Sequence, residues 1–382
     1  MGLLRVLLAL GVVRAHTVFF KPFFFIQGGV AVILFYIISG FYMSMIIRES
    51  YSKLGTHWEW KFLLNRVLRL YPAYYFVLIV SIIAMPLMGT PTIFTSNLSL
   101  PALEHAVALF CNTFIVGLDV MDAGVLLHWH DMPSPIPMSW QAFVVWPAWT
   151  VAVEIYFYIF AAFFIMRNRR SAYFALALGA FIRIWFVLVN GKMLHFSKYG
   201  IGLSGDPWGY HFFGTSLVFF MLGYVSYEIY VYLRARVERQ PEFMPRIRYC
   251  AVGLGAVLLL EAYIWDGYQH IWDYQQNVIW FTIPFFVLFI PVIFMVTKKS
   301  KIDNFIGLYS YPIYLCHVMS TYIAEKLFHF PENAVTTLLS VATFATIIVF
   351  LIEIPVDRLR HRITFKRVPD VPENANALVT SG

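Results

Sequence analysis

Arg5 and His16 lie eleven residues apart in one apolar stretch. At about 100° per residue they fall on nearly one helix face, roughly 16 Å apart along the axis. A guanidinium at one end of a helix and an imidazole further along the same face suit a site that holds an anion and moves a proton, because imidazole titrates near neutral pH. A snorkelling Arg5 and a His16 bonded to a neighbouring helix would satisfy the same spacing. Arg66 and Arg69 share one side of a second helix, and paired guanidiniums at a membrane surface can grip phosphates in bidentate fashion. Taken by spacing, ordinary basic anchoring explains them as well. Glu154 stands near the middle of an uncharged stretch, where a carboxylate must be protonated, paired or facing water. It could orient or charge-balance His16, or pair with Arg14 or Arg183. Ser310, Tyr314 and His317 repeat at one-turn spacing, so they share a face that lines either a cavity or a helix contact.

Other polar features carry less. Gly28, Gly29, Ser39 and Gly40 suit close helix packing. His128, His130 and Asp131 resemble a metal cluster, but histidines two apart diverge on a helix, and Pro133, Pro135 and Pro137 follow; no metal site is expected. Asn97-Leu98-Ser99 is a glycosylation sequon of the kind chance supplies. Cys111, Cys250 and Cys316 are odd in number and far apart, so they define neither a disulfide framework nor a metal site.

The elements that must position these residues follow from composition. Of 382 residues, 60% are hydrophobic, 19% aromatic and 13% charged. The charged fraction is about half that of a soluble domain. These values exclude intrinsic disorder, a nucleic-acid-binding protein and an extracellular disulfide scaffold. They predict an all-α polytopic membrane helix bundle, a single domain over residues 1–362 with a short polar tail over 363–382. Apolar stretches long enough to cross a ~30 Å hydrocarbon core fall at 3–20, 27–47, 72–89, 143–166, 172–189, 211–233, 249–265, 277–296, 305–324 and 334–352. The stretch 102–118, with Glu104 and His105, is expected to lie on the surface or re-enter. The runs are continuous, unlike the alternating strands of a barrel. Residues 1–20 are read as a span rather than a signal peptide, because Arg14 and His16 interrupt the apolar run.

Charge orients the bundle. One set of loops carries 21 Lys and Arg residues and the opposite set only Lys21, Lys192, Lys198 and Lys326. With the basic loops inside, about ten spans put both termini in the cytoplasm.

The motifs, in order, resemble the acyltransferase-3 family of membrane O-acyltransferases, as a stand-alone member without a fused esterase-like domain. They are Arg5-x10-His16, Gly29-Val30 … Phe35 … Ser39-Gly40-Phe41, Arg66-x-x-Arg69-x-Tyr71-Pro72, Trp149-Thr150 … Glu154 … Phe157-Tyr158 and Ser310-Tyr311 … Tyr314-Leu315-x-His317. The resemblance covers about residues 4–360. It implies transfer of an acyl group, most often acetyl, from cytoplasmic acyl-CoA to a hydroxyl of a surface carbohydrate or lipid-linked glycan, at the bacterial cytoplasmic membrane. It implies acyl-CoA as a donor substrate rather than a permanently bound cofactor, and no nucleic-acid partner. Carried over by position, it implies His16 and Arg5 at the catalytic centre with Glu154 and His317, and Arg66, Arg69, Tyr71 and Ser39 toward the donor. Thioester chemistry needs a base for the incoming hydroxyl and positive charge for the oxyanion. On this reading His16 is the base, oriented or balanced by Glu154. The rival class is a transporter or lipid-carrier flippase, which also needs intramembrane charge. It predicts internal repeats, and the sequence shows none.

Overall fold

The computed structural model describes residues 1–17, 28–95, 102–121, 143–193, 207–267 and 272–365. Asn97, His128, His130, Asp131 and the tail beyond 365 lie outside the described residues. All regular structure among the described residues is helical. In chain order the helices are α1 (Gly2–His16), α2 (Gly28–Glu49), α3 (Trp58–Leu87), α4 (Ala102–Phe114), α5 (Ala148–Phe160), α6 (Arg169–Met193), α7 (Pro207–His211), α8 (Phe213–Arg239), α9 (Met244–Gly267), α10 (Trp272–Thr297), α11 (Lys301–Gly307), α12 (Ser310–Lys326), α13 (Ala334–Ile348) and α14 (Ile354–Phe365). Helices α5 and α13 each run into a π turn, Ala161–Ile165 and Val349–Glu353.

Six stretches among the described residues are long and apolar enough to cross a membrane: Gly28–Lys53, Trp58–Leu87, Ala148–Ile165, Gly209–Arg239, Pro241–Ile264 and Ala334–Arg360. Helix α4 has 13 residues, about 20 Å at 1.5 Å per residue, which is short of a ~30 Å core. Two expected boundaries move. A span was expected to start at Pro72; instead α3 is one 30-residue helix running through Pro72 and Pro86. The Tyr311 hydroxyl donates to the Leu70 carbonyl at 3.0 Å, bracing α3 just before Pro72; neighbouring helices commonly steady prolines in this way within membranes. The expected span 305–324 divides at Leu308–Tyr309 into α11 and α12.

Helix α2 is the centre of the bundle. Its residues from Val30 to Ile47 are buried on all sides except at Phe35, as its all-round apolar sequence requires. It can be surrounded so closely because glycines meet at its crossing with α8. A Cβ on Gly40 would lie 1.9 Å from the Phe220 carbonyl oxygen, and one on Gly223 would lie 2.1 Å from the Ile37 oxygen. The two backbones therefore touch, the packing that small residues permit in membranes. Ion pairs tie the same helices at one end, Arg48 to Glu228 at 2.7 Å and Arg234 to Glu49 at 2.8 Å, and Arg169 of α6 joins Glu228 at 3.0 Å.

Gly40→Ala has no slack to absorb its methyl group, so the α2–α8 crossing must open. The expected cost is about 3 kcal/mol, the upper part of the overpacking range, read as a lower unfolding temperature of the detergent-solubilised protein. A Gly40→Ala variant as stable as the parent would refute the backbone contact.

Candidate active site

The site begins where α1 starts. Asp303, on α11, accepts hydrogen bonds from the Gly2 and Leu3 backbone N–H groups at 2.8 and 3.0 Å and pairs with the Met1 ammonium. A helix N-terminus leaves such donors without intrahelical partners and favours negative charge, so Asp303 caps α1 from outside. Close approach depends on glycine here too, since a Cβ on Gly2 would lie 1.7 Å from the Asp303 carbonyl oxygen. Asp303 itself is anchored: Ser300 caps α11 by accepting from the Asp303 N–H at 3.2 Å. This joint sets the axial position of α1, and with it Arg5.

Arg5 lines a cavity of about 110 Å³ together with Arg69, Tyr36, Ser39, Glu154 and Tyr314. At its basic end Arg69 is buried and paired with Glu353 at 3.2 Å, the two side chains 6% and 5% exposed. Glu353 closes the π turn that follows α13, and the extra residue of such a turn re-aims the side chains that follow it. Arg5, Arg360 and Asp357 also act electrostatically on Glu353. Asn65 links two more cations: its Oδ1 accepts from Arg66 Nη2 at 3.1 Å and from Arg360 Nη2 at 2.8 Å. The Arg66 guanidinium lies over the rings of Phe62 and Tyr158 at 5.6 and 6.0 Å. Four guanidiniums thus gather around the carboxylates of Glu353 and Asp357, a strongly positive end.

Along the cavity wall, Ser39 donates to Glu154 Oε1 at 2.5 Å. The far end is formed by Phe35 and Tyr314, their rings edge-on at 6.1 Å. The Tyr314 hydroxyl is held at 2.7 Å from Thr150 Oγ1. One turn further along α12 comes His317, fully buried, with Nδ1 at 2.7 Å from the Tyr314 carbonyl oxygen. A carbonyl only accepts, so Nδ1 carries the proton and Nε2 presents its lone pair. Nε2 has no hydrogen-bond partner among the described residues. The His16 ring, on the last residue of α1, lies 5.5 Å from the His317 ring and 5.0 Å from Trp146. His317 is closed off, while His16 is exposed.

The residues singled out from the sequence therefore separate into groups. Arg5, Arg69, Ser39, Glu154 and Tyr314 share the cavity; His16 and His317 pair behind its far end. Arg66 sits behind the wall beside Tyr158. Tyr71 is not on the cavity, and its hydroxyl donates to the Phe114 carbonyl at 2.6 Å, tying α3 to the end of α4. Arg183 donates to the Gly209 carbonyl at 2.6 Å, and the carboxylate of Glu154 meets Ser39 instead. Sequence reading passed over Glu353, Asn65 and Arg360. Glu353 fell one residue beyond the expected span, and Arg360 was one basic residue among many. The available signal was Glu353, Asp357 and Arg360 at i, i+4 and i+7, one helix face.

The helical architecture agrees with what comparison finds. The acyltransferase-3 family pattern, described as an acyltransferase domain, matches residues 1–354. The chain belongs to this family, which is one of membrane acyltransferases. No curated relative and no solved structure matches it.

Two predictions follow from the basic end. Glu353→Ala leaves Arg69 buried without its carboxylate and is expected to cost about 3–5 kcal/mol of stability. Adding Arg69→Met should recover most of that loss in a double-mutant cycle, and purely additive losses would refute the coupling. Burial alone would raise Asp303, but the hydrogen bonds from Leu3, the chain's amino group and Gly2 hold it below the ordinary carboxylate range. A depressed carboxylate stabilises the fold above its unfolded-state value and loses that contribution as pH falls through its native value. Asp303→Asn should thus melt at lower temperature than the parent at pH 7, with the gap closing below about pH 4. Equal melting at pH 7 would count against the cap.

Proposed function

We propose that this membrane acyltransferase moves a short acyl group, acetyl in the first instance, from acyl-CoA to a hydroxyl of a surface carbohydrate or lipid-linked glycan. The observation that carries the reading is the cavity running from Arg5 and Arg69 to Tyr314, one turn from His317 and the adjoining His16. Its ends have opposite chemistry. Guanidiniums bind phosphate, so the nucleotide end of the donor belongs with Arg5 and Arg69, with Arg66 adding positive charge from behind the wall. The acyl thioester then points along the apolar wall toward the histidines.

Ten spans with both termini in the cytoplasm accord with this arrangement. Helices α1, α6, α10 and α12 then cross in addition to the six stretches named above, and the basic end faces the cytoplasm, where acyl-CoA is made. Exposed His16 meets the acceptor hydroxyl from the opposite side and takes its proton. His317, with Nδ1–H tied to the Tyr314 carbonyl, offers Nε2 as a second acceptor for that proton. Glu154 and Ser39 form part of the channel wall facing the acyl chain, and Glu154 balances the charge of Arg5. The host membrane on this reading is the bacterial cytoplasmic membrane. Transport without chemistry would leave the buried, proton-bearing geometry of His317 without a use.

The test is transfer of radiolabelled acetyl from acetyl-CoA into host surface glycans by membranes carrying the parent protein or His16→Ala at equal level. Losing a general base removes about 10²–10⁴-fold of rate, so label should fall to background in the variant. Undiminished label with His16→Ala would reject His16 as the base. No label with acetyl-, succinyl- or longer acyl-CoA donors would reject the acyl-CoA reading.

A further inference from the structure

Helix α2 presents Val32, Phe35, Tyr36, Ser39, Tyr42 and Met43 to the cavity, the three- and four-residue spacing of one helix face. Within this stripe Tyr36 is anomalous. It is 4% exposed, its ring packs on Phe220 with centroids 4.6 Å apart, and its hydroxyl has no hydrogen-bond partner among the described residues. A buried hydroxyl in that condition costs about 1–3 kcal/mol. Phenylalanine would fill the same space without that cost.

Five of the cavity's seven other hydroxyls contrast with it. Ser39 donates to Glu154 at 2.5 Å, Thr150 to the Pro147 carbonyl at 2.9 Å, Ser310 to the Gly307 carbonyl at 3.0 Å and Tyr311 to the Leu70 carbonyl at 3.0 Å. The Tyr314 hydroxyl lies 2.7 Å from Thr150 Oγ1 and 3.3 Å from the Pro147 carbonyl oxygen, so its proton has acceptors within reach. Arg69 is held by Glu353 at the opposite end. Tyr36, a residue of the cavity wall, therefore keeps an uncommitted neutral donor.

We infer that the Tyr36 hydroxyl is the hydrogen-bond donor to the carbonyl oxygen of the acyl group being transferred. The inference rests on the acyl-transfer reading above. At its reacting end an acyl thioester has one strong acceptor, that carbonyl oxygen. The acceptor hydroxyl's oxygen bonds to the carbonyl carbon as its proton passes to His16, and the C=O π pair moves onto the oxygen held by Tyr36. Collapse restores C=O and breaks the C–S bond, and the thiolate leaves and takes the proton from His16. The hydrogen bond strengthens as the oxygen gains charge, so it acts mainly on the transition state.

Tyr36→Phe in the full-length protein tests this with two readouts. With acetyl-CoA as donor, kcat should fall by about 10²–10³-fold, the loss expected for one oxyanion donor, with little change in KM. The unfolding temperature should hold or rise, because a partnerless polar group has been removed. A kcat within twofold of the parent, or a variant that melts several degrees lower, would overturn the assignment. A second experiment needs no variant to decide against it. The parent should be stabilised more strongly by S-acetonyl-CoA, which carries an unreactive ketone, than by S-propyl-CoA, which lacks the carbonyl, and Tyr36→Phe should lose the preference. Equal stabilisation of the parent by both analogues would overturn the proposal. Transfer by parent and variant alike would sink only the Tyr36 hydrogen bond, whereas no transfer by the parent would sink the acyl-transfer reading beneath it.

Discussion

The Arg69–Glu353 ion pair is the interaction on which the rest of the arrangement depends. Both side chains are almost fully buried, and a buried charge is tolerated only with a well-placed counter-charge. The pair joins the middle of α3 to the π turn after α13, elements 284 residues apart in sequence. Through Asp357 and Asn65 it extends to Arg360 and Arg66, and through the field of Glu353 it reaches Arg5. Fixing Arg69 therefore fixes one end of the cavity and the position of a whole group of cations.

Positive charge at that end is useful only if the opposite end is at a defined distance. Helix α1 supplies the ruler. Asp303 caps its first residues and Gly2 lets it press on α11, so the eleven residues from Arg5 to His16 span a set length. Helix α12 runs alongside and presents Tyr314 at the cavity's end and His317 behind it. The glycine contact between α2 and α8 performs a similar service for Ser39, since Gly40 is its neighbour and the crossing sets how deeply α2 is seated. Placement of the chemistry is thus a matter of two close backbone contacts and two caps.

Much of the fold was legible because the bilayer limits the options. A run of about 20 apolar residues has few alternatives to a spanning helix. Boundaries were less legible. Pro72 looks like a helix start, yet Tyr311 from a distant helix braces α3 and the helix continues. Glu353 looks like a residue just past a span, yet a π turn carries it into the interior. Both outcomes depend on what packs against the segment, and a local pattern does not contain that.

The residue types of the site were determined by the sequence alone: Arg5 and His16 on one face, Glu154 amid apolar neighbours, and Tyr314 and His317 one turn apart. Helical periodicity fixes such relations within an element, because rise and rotation per residue are constant. Relations between elements were decided only by tertiary structure. It brought His317 to His16, gave Glu154 to Ser39, turned Tyr71 away to Phe114 and left the buried Tyr36 hydroxyl without a partner among the described residues. Which polar groups satisfy one another depends on distances between helices. Those distances are set by small-residue contacts and buried charge pairs that link positions far apart in the chain.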